Sequence, residues 1–109
     1  MSAYMVVFVT AHNLDWVAEY IEKVPAIVRS YGGKYIAISR AVPNAIERVE
    51  GSASIPDGIV VFEFPSTDAI NGFLKSPDYL PYRLARIAAT ESNIFSFEND
   101  ANAPQFLRQ

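Results

Sequence analysis

The stretch FEFPSTDAINGFLKSPDYLPY, residues 62–82, contains the end of an apolar strand followed by two helix signals that prolines separate. Ser66 follows the strand directly and is a favoured N-cap residue, and Asp68 falls in the first turn, where the helix dipole stabilises a carboxylate. These signals predict a helix over Thr67–Lys75. Pro77 cannot continue that helix, so the chain is expected to break there and to begin a second one.

The second helix of this pair has two faces with different chemistry. Asp78 is its candidate cap, which would place Pro81 in the first turn, where backbone N–H groups lack intrahelical partners. Apolar residues at three- and four-residue steps predict the buried face: Leu80, Leu84, Ile87 and Ala88. Another face carries Tyr79, Tyr82, Arg83 and Arg86. Guanidinium and phenol groups together suit a carboxylate or an aromatic acid, whereas the alternative is an exposed face that makes salt bridges or forms a dimer rim.

Strand patterns lie on both sides of this helix pair. Residues 4–10, YMVVFVT, and residues 59–64, IVVFEF, are apolar on both alternating faces, which is typical of strands buried on two sides. Residues 34–40, KYIAISR, and residues 92–97, SNIFSF, predict two further strands. The sequence therefore predicts at least four strands.

The segments between these strands differ in kind. Asn13 is a candidate cap for a long first helix, whose apolar stripe includes Trp16 and Tyr20. Gly32-Gly33 is expected to end it, because glycine adopts the left-handed C-terminal conformation without cost. Pro25 lies inside that helix and predicts a kink or a short break in the preceding turn. The segment AIERVE, 45–50, either continues the second strand or pairs beside it as a short ribbon, and GSASIPDG, 51–58, predicts a loop.

The order strand, helix, strand, strand, helix pair, strand predicts an α+β fold: a ferredoxin-like split βαβ sandwich, with an antiparallel sheet and helices on one face. The domain is expected to span residues 1–98, and residues 99–109 to form a polar C-terminal tail. Neither face of the predicted strands is polar, and exposing one would cost about 1.5–3 kcal/mol for each large apolar side chain. A second copy, packed sheet against sheet in a homodimer, is the expected cover.

The composition narrows the classes of partner. The 109 residues include nine Lys and Arg and twelve Asp and Glu, a net charge of −3, so the broad positive field that binds nucleic acid or anionic lipid is missing. The chain has no cysteine, which excludes a disulfide framework and a thiolate nucleophile. No signal-peptide pattern and no apolar run of membrane-spanning length is present. We expect a cytoplasmic protein with neither nucleic-acid nor membrane partners.

Several of these segments resemble a known family. YGGKYIAISR at 31–40, VEG at 49–51 and the segment from IVVFEFPS to ATES at 59–92 look like domain-of-unknown-function family 1330, in the dimeric alpha-beta barrel superfamily. The resemblance covers roughly residues 4–98 and implies a ferredoxin-like fold whose sheets pair in a homodimer. The matching positions are Tyr31, Gly32, Gly33, Glu50, Gly51, Pro65, Ser66, Ser76, Pro77, Tyr79, Arg86 and Ser92. Members commonly have a tryptophan shortly after the Glu-Gly pair, and this chain has none there.

Six residues are candidates for binding a ligand in a cleft between sheet and helices: Arg40, Glu50, Glu63, Tyr79, Arg86 and Ser92. Glu63 interrupts an apolar strand and is either a general base whose pKa burial raises or the partner of an arginine such as Arg40. Glu50 is either a site residue at the loop mouth or a solvated strand end. The only histidine, His12, is either a proton shuttle or haem ligand or simply exposed. No catalytic residue, no metal site and no cofactor is predicted.

Two functions stay open at this level. The first is a small-molecule-binding protein or cofactor-independent enzyme, by analogy with superfamily monooxygenases and isomerases that act on aromatic or dienoic acids. The second is a non-catalytic dimeric scaffold or interaction module whose Tyr and Arg residues serve the interface. A cavity into which Tyr79 and Arg86 point favours the first, and a filled interior favours the second.

Overall fold

The computed structural model describes residues 2–108 and has a four-stranded antiparallel sheet with helices on one face. The strands lie in the order β2-β3-β1-β4. The elements, in chain order, are β1 Ala3–Ala11, α1 Val17–Ser30, β2 Lys34–Ile38, β3 Gly58–Phe64, α2 Thr67–Leu74, α3 Leu80–Ala89, β4 Thr90–Glu98 and a final 3-10 turn, Gln105–Arg108. This arrangement confirms the predicted α+β, ferredoxin-like fold.

Strand register divides the sheet into two apolar faces. On β1, Met5 pairs with Phe62 of β3, and both are buried beneath the helices. The neighbouring Val6 pairs with Val61 and with Phe95 of β4, on the opposite side of the sheet. The core therefore lies between the helices and one face of the sheet, and its buried members are Ala3, Met5, Val7, Val24, Val28, Phe62, Phe64, Ile70, Phe73 and Tyr79.

The other face, called here the outer sheet face, is apolar and uncovered in the single chain. Its apolar members are Tyr4, Val6, Phe8, Ile59, Val61, Phe95 and Phe97, and Glu63 lies on the same face beside Tyr4. Phe95 and Phe97 of the edge strand β4 are 62% and 55% exposed. Phe97 packs on Tyr4 with ring centroids 5.6 Å apart, and Phe95 packs on Phe8 at 6.2 Å, so the rings form rows across the strands. The sequence-based prediction of a sheet without a polar face thus agrees with the register.

The helix α1 differs in detail from its prediction. It runs without a break from Val17 to Ser30 and includes Pro25, so the short break predicted ahead of that proline is absent from this helix. Its N-cap is Trp16, whereas the Asn13 side chain accepts a hydrogen bond from the Asp15 backbone N–H at 3.1 Å, in a turn ahead of the helix.

The glycine pair after α1 allows a close approach to the sheet. Gly32 has a φ of 78°, the left-handed conformation that ends many helices. Gly33 lies against Phe64, and a Cβ atom there would sit only 2.5 Å from the ring atom Cε1 of that residue. The pair therefore serves helix termination and packing, as the sequence predicted, and sets how closely α1 approaches β3.

The two helices α2 and α3 begin as the sequence predicts, except for the N-cap of α3. Ser66 caps α2, and its side chain accepts a hydrogen bond from the Ala69 backbone N–H at 3.1 Å. Pro81 lies in the first turn of α3, as predicted, but the N-cap is Tyr79. Asp78 instead donates its backbone N–H to the Ser76 hydroxyl at 3.2 Å, within the turn between the helices.

The buried and exposed faces of α3 are the reverse of the prediction. Leu80, Leu84 and Ile87 are 46%, 54% and 49% exposed, whereas Arg86 is only 6% exposed. Ala88 is exposed as well. Of the tyrosine and arginine face, Tyr79 and Arg86 line the space between α3 and the sheet, and Tyr82 and Arg83 are half-buried.

The connection between β2 and β3 is longer than predicted. Residues 39–57 contain neither helix nor strand, so the proposed strand at 45–50 is wrong and the predicted loop at 51–58 is only its second half. Its ends are fixed to the sheet: Ser39 N–H donates to the Ile59 carbonyl at 2.9 Å, and Asp57 accepts from the Ala11 N–H at 2.8 Å. In the described part of the chain, no helix is both long and apolar enough to cross a bilayer.

Candidate functional site

A cavity of about 520 Å³ lies between the helix face of the sheet and the helices. Strands contribute Met5, Val7, Val9, Tyr35, Ile38, Val60, Phe62 and Ile94, and the helices and the turns next to them contribute Trp16, Val17, Tyr20, Ile21, Pro25, Phe73, Leu74, Tyr79 and Arg86. Almost all of these side chains are aliphatic or aromatic. The volume falls in the range of small-molecule pockets, about 300–1,000 Å³.

Tyr79 joins the cavity to the core. It lies at the start of α3, is 1% exposed, and stacks on Phe73 with ring centroids 4.3 Å apart and an interplanar angle of 27°. Its hydroxyl lies 2.6 Å from that of Tyr20 on α1. Tyr79 therefore fixes the distance between α1 and the helix pair through one stacked ring and one hydrogen bond.

Arg86 lies two turns further along α3 and brings a positive charge into the cavity. Its Nε–H donates to the Tyr79 hydroxyl at 3.4 Å. Arg86 is only 6% exposed. Even so, within residues 2–108, no carboxylate lies within ion-pair distance of its guanidinium. Buried arginines usually have an acidic partner, because transferring a bare charge from water costs several kcal/mol.

The phenols of Tyr20 and Tyr35 stay protonated at neutral pH. Burial, followed by the neighbouring Tyr79, raises the pKa of Tyr20 far above its ordinary value, while Arg86 acts weakly in the opposite direction. Burial also raises the pKa of Tyr35 on β2. Both groups can therefore donate hydrogen bonds at neutral pH, and neither is suited to remove a proton from a ligand.

The cavity opens to solvent at an apolar mouth. Ile21 of α1 and Ile38 of β2 both line the cavity, yet they are 64% and 63% exposed. Trp16 is half-buried between Tyr20, on which its ring packs edge to face at 5.1 Å, and the Asn13 carbonyl, to which its indole N–H donates. A ligand would enter past these residues and meet Arg86 at the enclosed end.

Of the six predicted site residues, the structure brings two together at the cavity, Tyr79 and Arg86. Arg40 and Glu50 are exposed in the 39–57 connection and do not line it. Ser92 lies close by at the start of β4, where its hydroxyl is 2.7 Å from that of Thr90, but it is not part of the lining.

Glu63 lies on the outer sheet face and not in the cavity, because Phe62 and Phe64 on either side of it point to the helices. Its carboxylate accepts from Tyr4 at 3.3 Å and pairs with Lys34 at 3.3 Å, so its partner is not Arg40. Hydrogen bonds from Ser2 and then Lys34 lower the pKa of Glu63. The alternative in which burial raises the pKa of this residue is therefore wrong.

The lowered pKa gives a prediction for acid stability. A carboxyl whose pKa is lower in the folded chain stabilises the fold above the ordinary value of 4.5 and loses that contribution as the pH falls through and below it. Glu63→Gln should therefore flatten the fall in the free energy of unfolding between about pH 5 and pH 3. Urea denaturation at several pH values measures this, with Glu47→Gln, an exposed carboxylate, as the control. Parallel pH profiles for Glu63→Gln and the natural chain would contradict the prediction.

His12 is exposed and does not line the cavity. Within residues 2–108, no group of three or more His, Cys, Asp or Glu side chains is placed to hold a metal ion. The cavity residues that sequence reasoning did not select as site residues are chiefly Tyr20 and Trp16, which it had placed in the apolar stripe of α1.

Comparison with known proteins gives a family and a fold. The model of the family described as "Domain of unknown function (DUF1330)" matches residues 2–99. No match was found among curated protein sequences. These results leave the reaction, if there is one, to be inferred from the site.

Solved structures with the same fold include proteins of several kinds. A protein of unknown function from Rhodopseudomonas palustris is 16% identical with a TM-score of 0.73, covering 91% of this chain and 82% of that one. A variant of SnoaB, a cofactor-independent oxygenase from Streptomyces nogalater, is 16% identical with a TM-score of 0.65, covering 94% and 97%. A hydroxynitrile lyase from Passiflora edulis is 14% identical with a TM-score of 0.55, covering 94% and 97%. At these identities the similarity establishes the ferredoxin-like α+β fold and not a function.

Proposed function

This chain belongs to the DUF1330 family, whose function is unknown, and we propose that it is a homodimeric protein that binds a small, largely apolar molecule in the cavity between sheet and helices. The observation that carries this proposal is the cavity itself: about 520 Å³ of space beneath α1 and α3, lined mainly by apolar side chains. A domain of this size normally fills its interior, and empty volume destabilises it in proportion to its size. Space of this extent is therefore better explained by a ligand than by packing.

The lining favours a ligand with flat, aromatic character. Tyr20, Tyr79 and Phe73 present ring faces and edges in contact with one another, and Tyr35 stacks obliquely on Phe62 with centroids 4.5 Å apart. Aromatic side chains bind planar ligands by offset and edge-to-face contacts. Aromatic molecules, including aromatic carboxylic acids, are thus the class we propose.

A reaction without a cofactor is one version of this function. The fold is shared with SnoaB, a cofactor-independent oxygenase. Among the described residues that line the cavity, none is Asp, Glu or His, and the two phenols with raised pKa values are poor bases. A reaction here would have to start from a ligand that is already acidic and loses its proton to water. The same absence of a base favours the second candidate function, a non-catalytic dimeric scaffold or interaction module.

The outer sheet face supports the homodimer. Seven large apolar or aromatic side chains lie on it, and the helices cannot cover it because they all pack on the other face. Packing the same face of a second copy against it would make a self-complementary, two-fold symmetric interface. Such a dimer leaves the cavity, which lies on the far side of the sheet, available in each copy.

Filling the cavity tests the binding function. Val60 lines it from β3, and Val60→Phe would place a ring in the space that the ligand needs. A ligand then has to displace side chains at about 1–3 kcal/mol, so binding of the neutral fluorophore N-phenyl-1-naphthylamine should weaken about tenfold or more. Fluorescence titration measures this.

The control for this experiment is Val49→Phe, which adds the same atoms at a position that is 94% exposed in the 39–57 connection. Urea denaturation of both variants checks that each is folded. Undiminished dye binding by a folded Val60→Phe variant would refute the cavity as the binding site.

A further inference from the structure

We propose that the cavity selects ligands that carry a single anionic oxygen group, and that this group binds Arg86 and the Tyr20 hydroxyl at the enclosed end. The inference rests on the proposed function and adds to it the charge and the orientation of the ligand. The proposed anionic group is a carboxylate or another singly charged oxyanion, since all of these accept charge-assisted hydrogen bonds from a guanidinium.

Most of the N–H donors of the Arg86 guanidinium have no partner within the protein. A guanidinium carries five N–H donors, and the only hydrogen bond that the Arg86 guanidinium makes with residues 2–108 runs from Nε to the Tyr79 hydroxyl at 3.4 Å. Within the same residues, no side-chain nitrogen or oxygen is both fully enclosed and unpaired. The remaining N–H groups of Arg86 must therefore face accessible space, and Arg86 lines the cavity. An anion that enters the cavity meets a nearly buried cation with free donors.

The two phenolic hydroxyls beside Arg86 have more donor protons than the bond between them uses. Tyr79 and Tyr20 have one hydroxyl proton each, and the 2.6 Å bond between their oxygens uses one of the two. Either hydroxyl can be the donor of this bond, and we assign the donor role to Tyr79 because its oxygen already accepts from Arg86. The Tyr20 proton is then free to donate to a ligand oxygen. Burial, which keeps Tyr20 protonated, maintains this donor at neutral pH.

The charge of the cavity lining sets the charge of the ligand that it can bind. Arg86 is the only charged residue among the described residues that line the cavity. One negative charge on a ligand neutralises it, and a second would be buried without a partner, at a cost of several kcal/mol. A neutral ligand would leave the guanidinium unpaired, as it is in the empty cavity. The site therefore discriminates against neutral molecules and against dianions such as phosphate esters.

The orientation follows from exposure. Arg86 is 6% exposed, whereas the cavity residues Ile21 and Ile38 are more than 60% exposed at the mouth. The anionic group is thus bound at the inner end and the apolar body of the ligand extends toward the mouth. The mouth contributes hydrophobic contact and no charge.

The experiment compares three naphthalene ligands on the full chain: 2-naphthoate, the neutral 2-naphthamide and the dianion 2,3-naphthalenedicarboxylate, whose two adjacent carboxylates would both lie at the inner end. Dissociation constants are measured by displacement of N-phenyl-1-naphthylamine at pH 7.5. A charge-assisted hydrogen bond to Arg86 should make the naphthoate bind about tenfold more tightly than the amide and than the dianion.

Arg86→Met tests the residue, because methionine is of similar length and carries no charge. It should bring the ratio of acid to amide binding to about one while the amide still binds. Arg83→Met is the matched control, since Arg83 lies about one helical turn before Arg86 and does not line the cavity. It should keep the ratio of the natural protein.

The outcomes separate this inference from the proposed function. Equal binding of naphthoate and naphthamide by the natural protein would overturn charge selection and leave the apolar binding function intact. Binding of none of the three ligands, or of the dye, would overturn both. Should Arg86→Met not fold, the ratio measured on the natural protein decides the question without it.

Discussion

Phe95→Asp is expected to leave a folded monomer at micromolar concentrations, where the natural chain is expected to be a dimer. Phe95 lies on the outer sheet face and is 62% exposed in the single chain, so the substitution costs the monomer little. In a sheet-to-sheet dimer, each copy would bring one carboxylate without a partner into an apolar interface. Burying such a charge costs several kcal/mol, so the dissociation constant of the dimer should rise by about 1,000-fold or more.

Sedimentation equilibrium from 1 to 100 µM measures this effect, and circular dichroism checks that the variant is folded. Leu84→Asp is the matched control: Leu84 is 54% exposed, but it lies on the outer side of α3, away from the sheet. It should leave the dimer intact. A monomeric natural chain at these concentrations, or a dimer that tolerates Phe95→Asp, would refute packing through the outer sheet face.

The apolar outer sheet face could be anticipated from the sequence because side chains alternate along a strand with a period of two, whatever the tertiary structure. In residues 4–10, both sets of alternating side chains are apolar, so one set had to lie away from the helices whichever face the helices covered. The same alternation places Phe62 and Phe64 on one face and Glu63 on the other. What the pattern could not decide was which of the two faces the helices cover, and Glu63 was assigned to the helix side for that reason.

The faces of α3 show that helical periodicity and hydropathy together do not always identify the buried face of a helix. Leu80, Leu84 and Ile87 recur at helical spacing, and Tyr79, Tyr82 and Arg86 do so as well, so periodicity predicted two stripes and hydropathy chose the wrong one as buried. Hydropathy ranks side chains by their transfer from water, whereas this interior contains a space that long amphipathic side chains can reach. An empty space is a property of how several elements meet, and no single segment encodes it.

The same reasoning explains why the candidate site could be predicted only in part. Tyr79 and Arg86 were selected for their chemistry and do lie at the cavity, whereas Tyr20 was read as an ordinary core residue of α1. Its hydroxyl acquires a role only through Tyr79, which is 59 positions away in the sequence. Arg40 was selected as a possible partner of Glu63, and Glu50 as a residue at the mouth of a loop, but both are exposed in the connection at 39–57.

Tyr79→Ala is expected to lower the free energy of unfolding by about 3–5 kcal/mol, the range for removing a fully buried aromatic ring. The ring is 1% exposed and stacks on Phe73 at 4.3 Å, and it also meets Tyr20 edge to face at 6.1 Å. Its loss would enlarge a cavity that is already about 520 Å³, in a domain whose total stability is typically about 5–15 kcal/mol. The variant should unfold at a much lower urea concentration than the natural chain.

Tyr79→Phe separates the ring from the hydroxyl in the same experiment. It keeps the stacking on Phe73 but leaves the Arg86 Nε–H and the Tyr20 hydroxyl without their partner, so a smaller loss of about 1–3 kcal/mol is expected. Tyr82→Ala is the control for removing a tyrosine from the same helix at a half-buried position. If Tyr79→Ala and Tyr79→Phe lowered stability equally, the ring would contribute nothing beyond its hydroxyl, and Tyr79 would not be the residue that holds α1 and α3 apart. A loss that is large for alanine and modest for phenylalanine would mean that the ring, through its stack on Phe73, supplies most of this stability and the hydroxyl the smaller part.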